Sequence, residues 1–141
     1  MKSKSSTGFS LVELLVVIAI IGILSAVGIV TYNGYVSSAK KNSAENTIQQ
    51  IALAQTEEYA NTGSFSVTGS PPTTACAADS TTSQEIENEL FGGDDIIPDD
   101  IDFEICIFGS GSSFTIQGEH QSSPCVITLV KNGAVTRSDD C

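Results

Sequence analysis

The stretch FSLVELLVVIAIIGILSAVGIV, residues 9–30, decides the architecture. From Leu14 to Val30 it is almost wholly apolar, and from Phe9 its only charge is Glu13. About 20 helical residues at ~1.5 Å rise each cover a hydrocarbon core of ~30 Å, so the length predicts one membrane span. The preceding residues 1–8 read MKSKSSTG, with Lys2 and Lys4 as their charges. Lysines on the short side hold that end in the cytoplasm, which places the rest of the chain outside. A secretory signal would end in a small-residue cleavage site, but Ile23-Leu24-Ser25-Ala26 is a mediocre one and the apolar run continues past it. A plain anchor explains the run but not Glu13. A carboxylate within a span costs about 2.5–3.5 kcal/mol on insertion scales, so Glu13 calls for a cationic partner.

Residues 8–24, GFSLVELLVVIAIIGIL, resemble the class III leader junction of type IV pilins and related pseudopilins. The resemblance implies cleavage between Gly8 and Phe9 by a membrane prepilin peptidase, N-methylation of the new Phe9 amine, and assembly through Glu13. In that family the glutamate neutralises the N-terminal ammonium of a neighbouring subunit. Two ions that are each costly in lipid thus offset part of one another's penalty. Many family members carry proline where this chain has Val30. Gly22 and Gly28, with Ser25 between them, are the candidate weak points of the helix instead, because glycine costs about 1 kcal/mol relative to alanine. Close helix packing is the other use of the same glycines.

Beyond the apolar run, Ala44, Ile48, Ile51, Ala52, Gln55 and Tyr59 recur at three- and four-residue intervals. They extend the helix to about Asn61, with Gly63 as its stop, for a length of about 80 Å. Residues 62–82 are rich in Ser, Thr, Gly and Pro and predict a loop. Thr82-x-x-Glu85 is a capping-box pattern that predicts a short helix ending at Gly92. From Ile101 the period falls to two through Phe103, Ile105 and Ile107, giving a strand. A turn at residues 109–112, a second strand through Phe114, Ile116 and Gly118, a third over residues 126–130 and an Asn132-Gly133 hairpin complete the reading. The expected fold class is α+β, a type IV pilin fold with a long N-terminal α-helix packed on a small antiparallel β-meander. Its expected parts are a leader (1–8), a hydrophobic assembly helix (9–35) and a globular head (36–141), with an αβ-loop at 62–100 and a sheet at 101–137.

The 141-residue chain has a formal net charge of −11, and only Lys131 and Arg137 are basic in its last hundred residues. So acidic a head repels phosphate backbones, and no direct nucleic-acid binding is expected. Cys76, Cys106, Cys125 and Cys141 form no CxxC pair, and His120 is the single histidine, which argues against zinc. Two disulfides and an oxidising compartment are expected, with three connectivities open. The pilin resemblance favours Cys125–Cys141, enclosing a C-terminal D-region (125–141), and with it Cys76–Cys106. Closing such a loop is worth about 3 kcal/mol.

Asp94, Asp95, Asp99, Asp100 and Asp102 offer oxygen ligands in a region where secretion pseudopilins use calcium. They lack EF-hand spacing and Pro98 interrupts them, so a solvated loop is the preferred reading and no metal or cofactor is expected. His120 reads as a surface-loop residue, and nothing supplies an activated nucleophile, so no enzyme is expected. Tyr32 and Tyr35 read as interfacial anchors. The resemblance implies a structural pilus subunit serving adhesion, twitching motility or DNA uptake. The alternative is a minor pilin or a type II secretion pseudopilin. The implied partners are copies of the chain itself in a helical filament, the inner membrane before assembly with the head in the periplasm, prepilin peptidase/N-methyltransferase and the pilus assembly machinery. The filament would stand on the cell surface.

Overall fold

The computed structural model describes residues 8–68, 75–110 and 112–141. Residues 1–7, 69–74 and Gly111, on which the expected leader, loop and turn partly fall, lie outside the described residues. Helix α1 (Leu11–Thr62) is continuous over 52 residues. It stops where the sequence suggests, at Gly63, whose φ of +81° is the left-handed conformation glycine adopts freely. The chain divides after Ser38 into two units, residues 1–38 and 39–141.

The first unit is helix with its apolar side chains in the open. Leu11, Leu15, Ile18 and Leu24 are all exposed. Among the described residues one helix is long and apolar enough to cross a membrane. Gly22 and Gly28 lie within α1 and interrupt nothing.

The second unit is α+β. Helix α2 (Ser80–Phe91) is followed by strands β1 (Phe103–Ser110), β2 (Ser113–His120), β3 (Val126–Val130) and β4 (Val135–Arg137). The sheet is a four-stranded antiparallel meander in the order β1-β2-β3-β4. Ala44, Ile48 and Ile51 of α1 pack with Ile105, Ile107, Ile116 and Ile127 in one core. The helix lies so close to β2 that a Cβ at Gly118 would meet Ile48 Cδ1 at 3.0 Å. Near the end of β1 Gly109 faces Phe114 at φ +148°, where a Cβ would meet the Ser113 carbonyl at 2.4 Å.

The outer edge of β1 is closed by hydroxyl side chains. Ile105 N–H donates to Ser83 Oγ at 3.0 Å, and Thr82 Oγ1 donates to the Ile105 carbonyl at 2.8 Å. Thr68 Oγ1 accepts from Ile107 N–H at 2.9 Å. An edge that would otherwise offer unpaired backbone groups is thereby satisfied.

Two local expectations shift, and the expected last hairpin is present. Asp79, not Thr82, is the N-cap of α2: its carboxylate accepts from Thr81 and Thr82 N–H, both at 2.9 Å. Thr82 instead occupies the third helical position and its hydroxyl accepts from Asp79 N–H at 3.0 Å, so the helix starts inside the expected loop. Ile101 belongs to a 3₁₀ turn (Asp99–Ile101), and Asp102 at φ +58° breaks the chain before β1. The last hairpin pivots on Asn132 at φ +60°, with Leu129 opposite Val135.

Candidate functional site

The first site is the start of α1. Phe9 is 82 % exposed. Ser10 lies just ahead of the helix, and its N–H donates to Glu13 Oε2 at 2.9 Å. A carboxylate at the third helical position that reaches back to the N-cap amide is one half of a capping box. It also lies at the positive end of the helix dipole. Phe9, Val12, Val16 and Val17 share one exposed apolar patch with Glu13. Among the described residues no cationic side chain forms an ion pair with Glu13. This contact escaped the sequence reading, although Ser10-Leu11-Val12-Glu13 carries the S-x-x-E signal itself. Gly22 and Gly28 have nothing within 4 Å of a would-be Cβ. Between them Ser25 Oγ donates back to the Ile21 carbonyl at 2.7 Å, a bond that often bends helices.

The second site is the stapled end of the head. Cys125 and Cys141, 16 positions apart in sequence, are joined, with Cα atoms 4.5 Å apart. Cys76 and Cys106 are joined across 30 positions. Around the C-terminal staple, Ser138 N–H donates to the Val126 carbonyl at 2.8 Å and Val126 N–H to Ser138 Oγ at 3.0 Å.

Polar side chains tie this region to α1. Arg137 Nε donates to Glu45 at 2.6 Å and Nη2 to Asn42 at 2.9 Å, and the Glu45 hydrogen bond raises the Arg137 pKa. Lys41 donates to the Cys141 carbonyl. Lys40 donates to Asp102 Oδ2 at 2.5 Å, and that bond, reinforced by the charge of Lys40, holds the Asp102 carboxyl below its ordinary value. None of these pairs has a sequence signal, because the partners are scores of residues apart.

A third group lies closer in sequence. Buried Gln55 donates to the Ser66 carbonyl at 2.8 Å and accepts from Ser66 N–H at 2.9 Å, pinning the chain after α1 as a strand partner would. This seats Phe65 between Tyr59, stacked at 4.5 Å, and Phe114, edge-on at 4.9 Å. Lys131 Nζ lies 4.5 Å from the Phe65 ring centre.

The other candidates are placed as follows. Asp94, Asp95, Asp99 and Asp100 are exposed, and Asp102 is engaged by Lys40. Among the described residues no group of three or more His, Cys, Asp or Glu side chains is arranged to hold a metal ion. His120 ends β2 rather than lying in a loop. Its Nδ1 accepts from Ser122 N–H at 3.1 Å, and its ring meets Phe103 edge-on at 4.9 Å.

Comparison with known proteins adds a partial likeness. The prokaryotic N-terminal methylation motif matches residues 3–29, the stretch that carries Gly8, Phe9 and Glu13. The chain is 41 % identical over 58 residues to a type IV major pilin protein, PilE1, of Neisseria gonorrhoeae, covering 41 % of this chain and 35 % of that protein. It is 41 % identical over 58 residues to a fimbrial protein of Neisseria meningitidis serogroup B, covering 34 % of its length. Against the fimbrial protein EcpC of Eikenella corrodens the identity is 38 % over 63 residues, 45 % of this chain and 41 % of the relative. The match thus spans about a third of the first of these relatives, 35 % of its length. No solved structure matches the chain. Motif and relatives agree: the chain carries the prokaryotic N-terminal methylation motif and, over part of its length, is similar to type IV pilins.

Proposed function

We propose that the chain is a structural subunit of a type IV pilus filament, with no catalytic role. The observation that carries this reading is a single carboxylate, Glu13, set in an exposed apolar helix directly after the Gly8-Phe9 junction within the methylation motif. In the proposed sequence of events, residues 1–8 are a leader removed by prepilin peptidase and Phe9 becomes the methylated N-terminus. The segment 9–35 then lies in the inner membrane, and residues 36–141 form the head on its outer side. In the lone chain Glu13 holds the Ser10 amide. Cleavage creates an ammonium one residue before Ser10, and a neighbour's ammonium gives Glu13 the cation that the physics of lipid demands. Pairing in the right axial stagger favours polymer over dispersed monomer. The finished filament displays the stapled heads at the cell surface, where it serves adhesion, twitching motility or DNA uptake.

Electron microscopy of sheared filaments, with mass spectrometry of their subunits, tests this reading. The expected result is filaments made chiefly of this chain beginning at methylated Phe9. Glu13→Ala should reach the membrane in normal amount yet yield at least about tenfold fewer filaments, since one unpaired charge at membrane depth is worth about 2.5 kcal/mol or more. Wild-type filament yield from that variant removes the role of Glu13. A chain found only in traces within filaments of another subunit assigns it to the minor pilins or pseudopilins.

A further inference from the structure

The hairpin between β2 and β3 closes around the single histidine of the chain. His120 ends β2, and its backbone N–H donates to the Cys125 carbonyl at 3.0 Å across residues 121–124. Inside that turn the ring makes the next bond: Nδ1 accepts from Ser122 N–H at 3.1 Å. Gln121 N–H donates to the Asp102 carbonyl at 2.9 Å, which ties the turn to the residue before β1. Residues 121–124 are exposed, while Cys125, the next residue, is buried in the C-terminal staple.

The Ser122 bond fixes the state of the ring. A ring nitrogen that accepts an N–H bond carries no proton, so this imidazole is neutral with its proton on Nε2. A second proton can go only to Nδ1, where it would face the Ser122 N–H donor to donor. The bond therefore exists in the neutral form alone. The charged groups around the ring come from three elements. From the segment before β1 comes Asp102, paired with Lys40 of α1. Lys40, by hydrogen bond and charge, and more weakly the charge of His120 hold the Asp102 carboxyl below its ordinary value. From β1 the Phe103 ring meets His120 edge-on at 4.9 Å. Glu104 and its cross-strand partner Glu119 of β2 alternate to the other face of the sheet. There Glu104 accepts from the Ser83 hydroxyl and Glu119 from Gln117 Nε2. An imidazolium at His120 is thus driven off Ser122 and drawn to Asp102.

We propose that His120 is a proton-operated latch on the β2–β3 turn: neutral, it holds residues 121–124 closed through Ser122, and charged, it releases them and turns to Asp102. Imidazole is the side chain that changes charge in mild acid, so the turn is closed near neutral pH and open below it. The release is local. The His120–Cys125 bond and the ladder to Phe103 use backbone groups, the Lys40–Asp102 pair persists, and the staple keeps Cys125 in place. Opening of this kind takes a few exposed residues and leaves the core intact. The latch belongs to the head alone and stands or falls independently of the filament reading.

The test is a nuclear magnetic resonance titration of the full, nitrogen-15-labelled chain in detergent micelles, from about pH 8 to about pH 5, the range in which imidazole changes charge. The Ser122 amide and the His120 ring are followed together. The expected result is that the Ser122 amide proton loses its hydrogen-bonded shift along the same curve on which the ring gains its proton, while the amides of β1 and β3 stay in place. His120→Asn offers an Oδ1 acceptor that does not titrate in this range, so its Ser122 amide should keep the bonded shift throughout. His120→Phe keeps a ring against Phe103 but offers no acceptor, so its Ser122 amide should show the free shift at every pH. A Ser122 amide that stays put while the wild-type ring titrates overturns the proposal, and this outcome requires no variant to fold. A Ser122 amide that moves in His120→Asn as it does in wild type also overturns it, because the change then belongs to another group, such as the Asp102 carboxyl.

Discussion

One helix runs through two regimes. In its first part the large apolar side chains face outward: Leu11 is 78 % exposed, Ile23 68 % and Leu24 66 %. In its second part Ala44, Ile48 and Ile51 are all 0 % exposed against the sheet. The backbone is the same in both, so hydrogen bonding within the helix distinguishes nothing. What differs is where the apolar surface finds cover. The head supplies cover from its own strands, whereas the first segment carries its apolar surface all round, as a helix does whose surroundings are lipid or other helices. The lesson is that the packed core of residues 39–141 and the all-round apolar surface of the first segment are separable properties, written into one helix by the spacing of its apolar residues.

Paired truncations give the sharpest break between the regimes. Ile48→Ala deletes buried volume that β2 approaches closely at Gly118. It should destabilise the head by about 4 kcal/mol, in the upper part of the range for emptying a packed core site. Leu15→Ala removes a side chain that is 55 % exposed and should leave head unfolding unchanged. Thermal melts of the full chain in detergent check both. Equal shifts from the two variants would dissolve the distinction.

The staple is the next largest effect. The Cys125–Cys141 bond spans 16 positions. Replacing both cysteines by serine should cost about 3 kcal/mol, the loop-closure value for such a length. The loss belongs to the head alone: the same variant should insert in the membrane as wild type does, which fractionation measures. It should also free the last residues to proteolysis, since Cys141 is held near α1 by Lys41 and the staple together.

These two regimes were not equally legible in the sequence. The apolar run, the period of α1, its stop at Gly63 and the alternation of the strands are local signals, and they gave the architecture. The start of α2 was misplaced because Asp79 and Thr82 both suit a cap, and the choice fell to tertiary bonds: Thr82 Oγ1 is drawn to the Ile105 carbonyl. Ile101 was read into β1 because alternation reports burial, and Ile101 is buried at 3 % without belonging to the ladder. At the candidate site, Glu13 was evident as a lone charge, while its bond to Ser10 lay in an S-x-x-E pattern that its apolar setting hid. The Arg137–Glu45 pair joins positions 92 apart, and no periodicity can report that.

The smallest expected effect concerns the pair that joins α1 to the foot of the sheet. Lys40 holds Asp102 below its ordinary carboxylate value. A carboxyl whose folded pKa is depressed binds its proton less readily in the folded than in the unfolded state. Its contribution is therefore fully present above the ordinary value and fades as the pH falls through the lowered one. The pair is solvent-exposed, so the contribution is small and screened by salt. Asp102→Asn removes the charge but keeps a residue that tolerates the φ of +58° at this position. Melts of wild type and variant should differ slightly near neutral pH, converge below the ordinary carboxylate range, and converge also at high salt. A difference that persists in acid would trace the effect to the turn geometry of Asp102. In that case the foot of the sheet would be held to α1 by Arg137 and the packed isoleucines rather than by this charge.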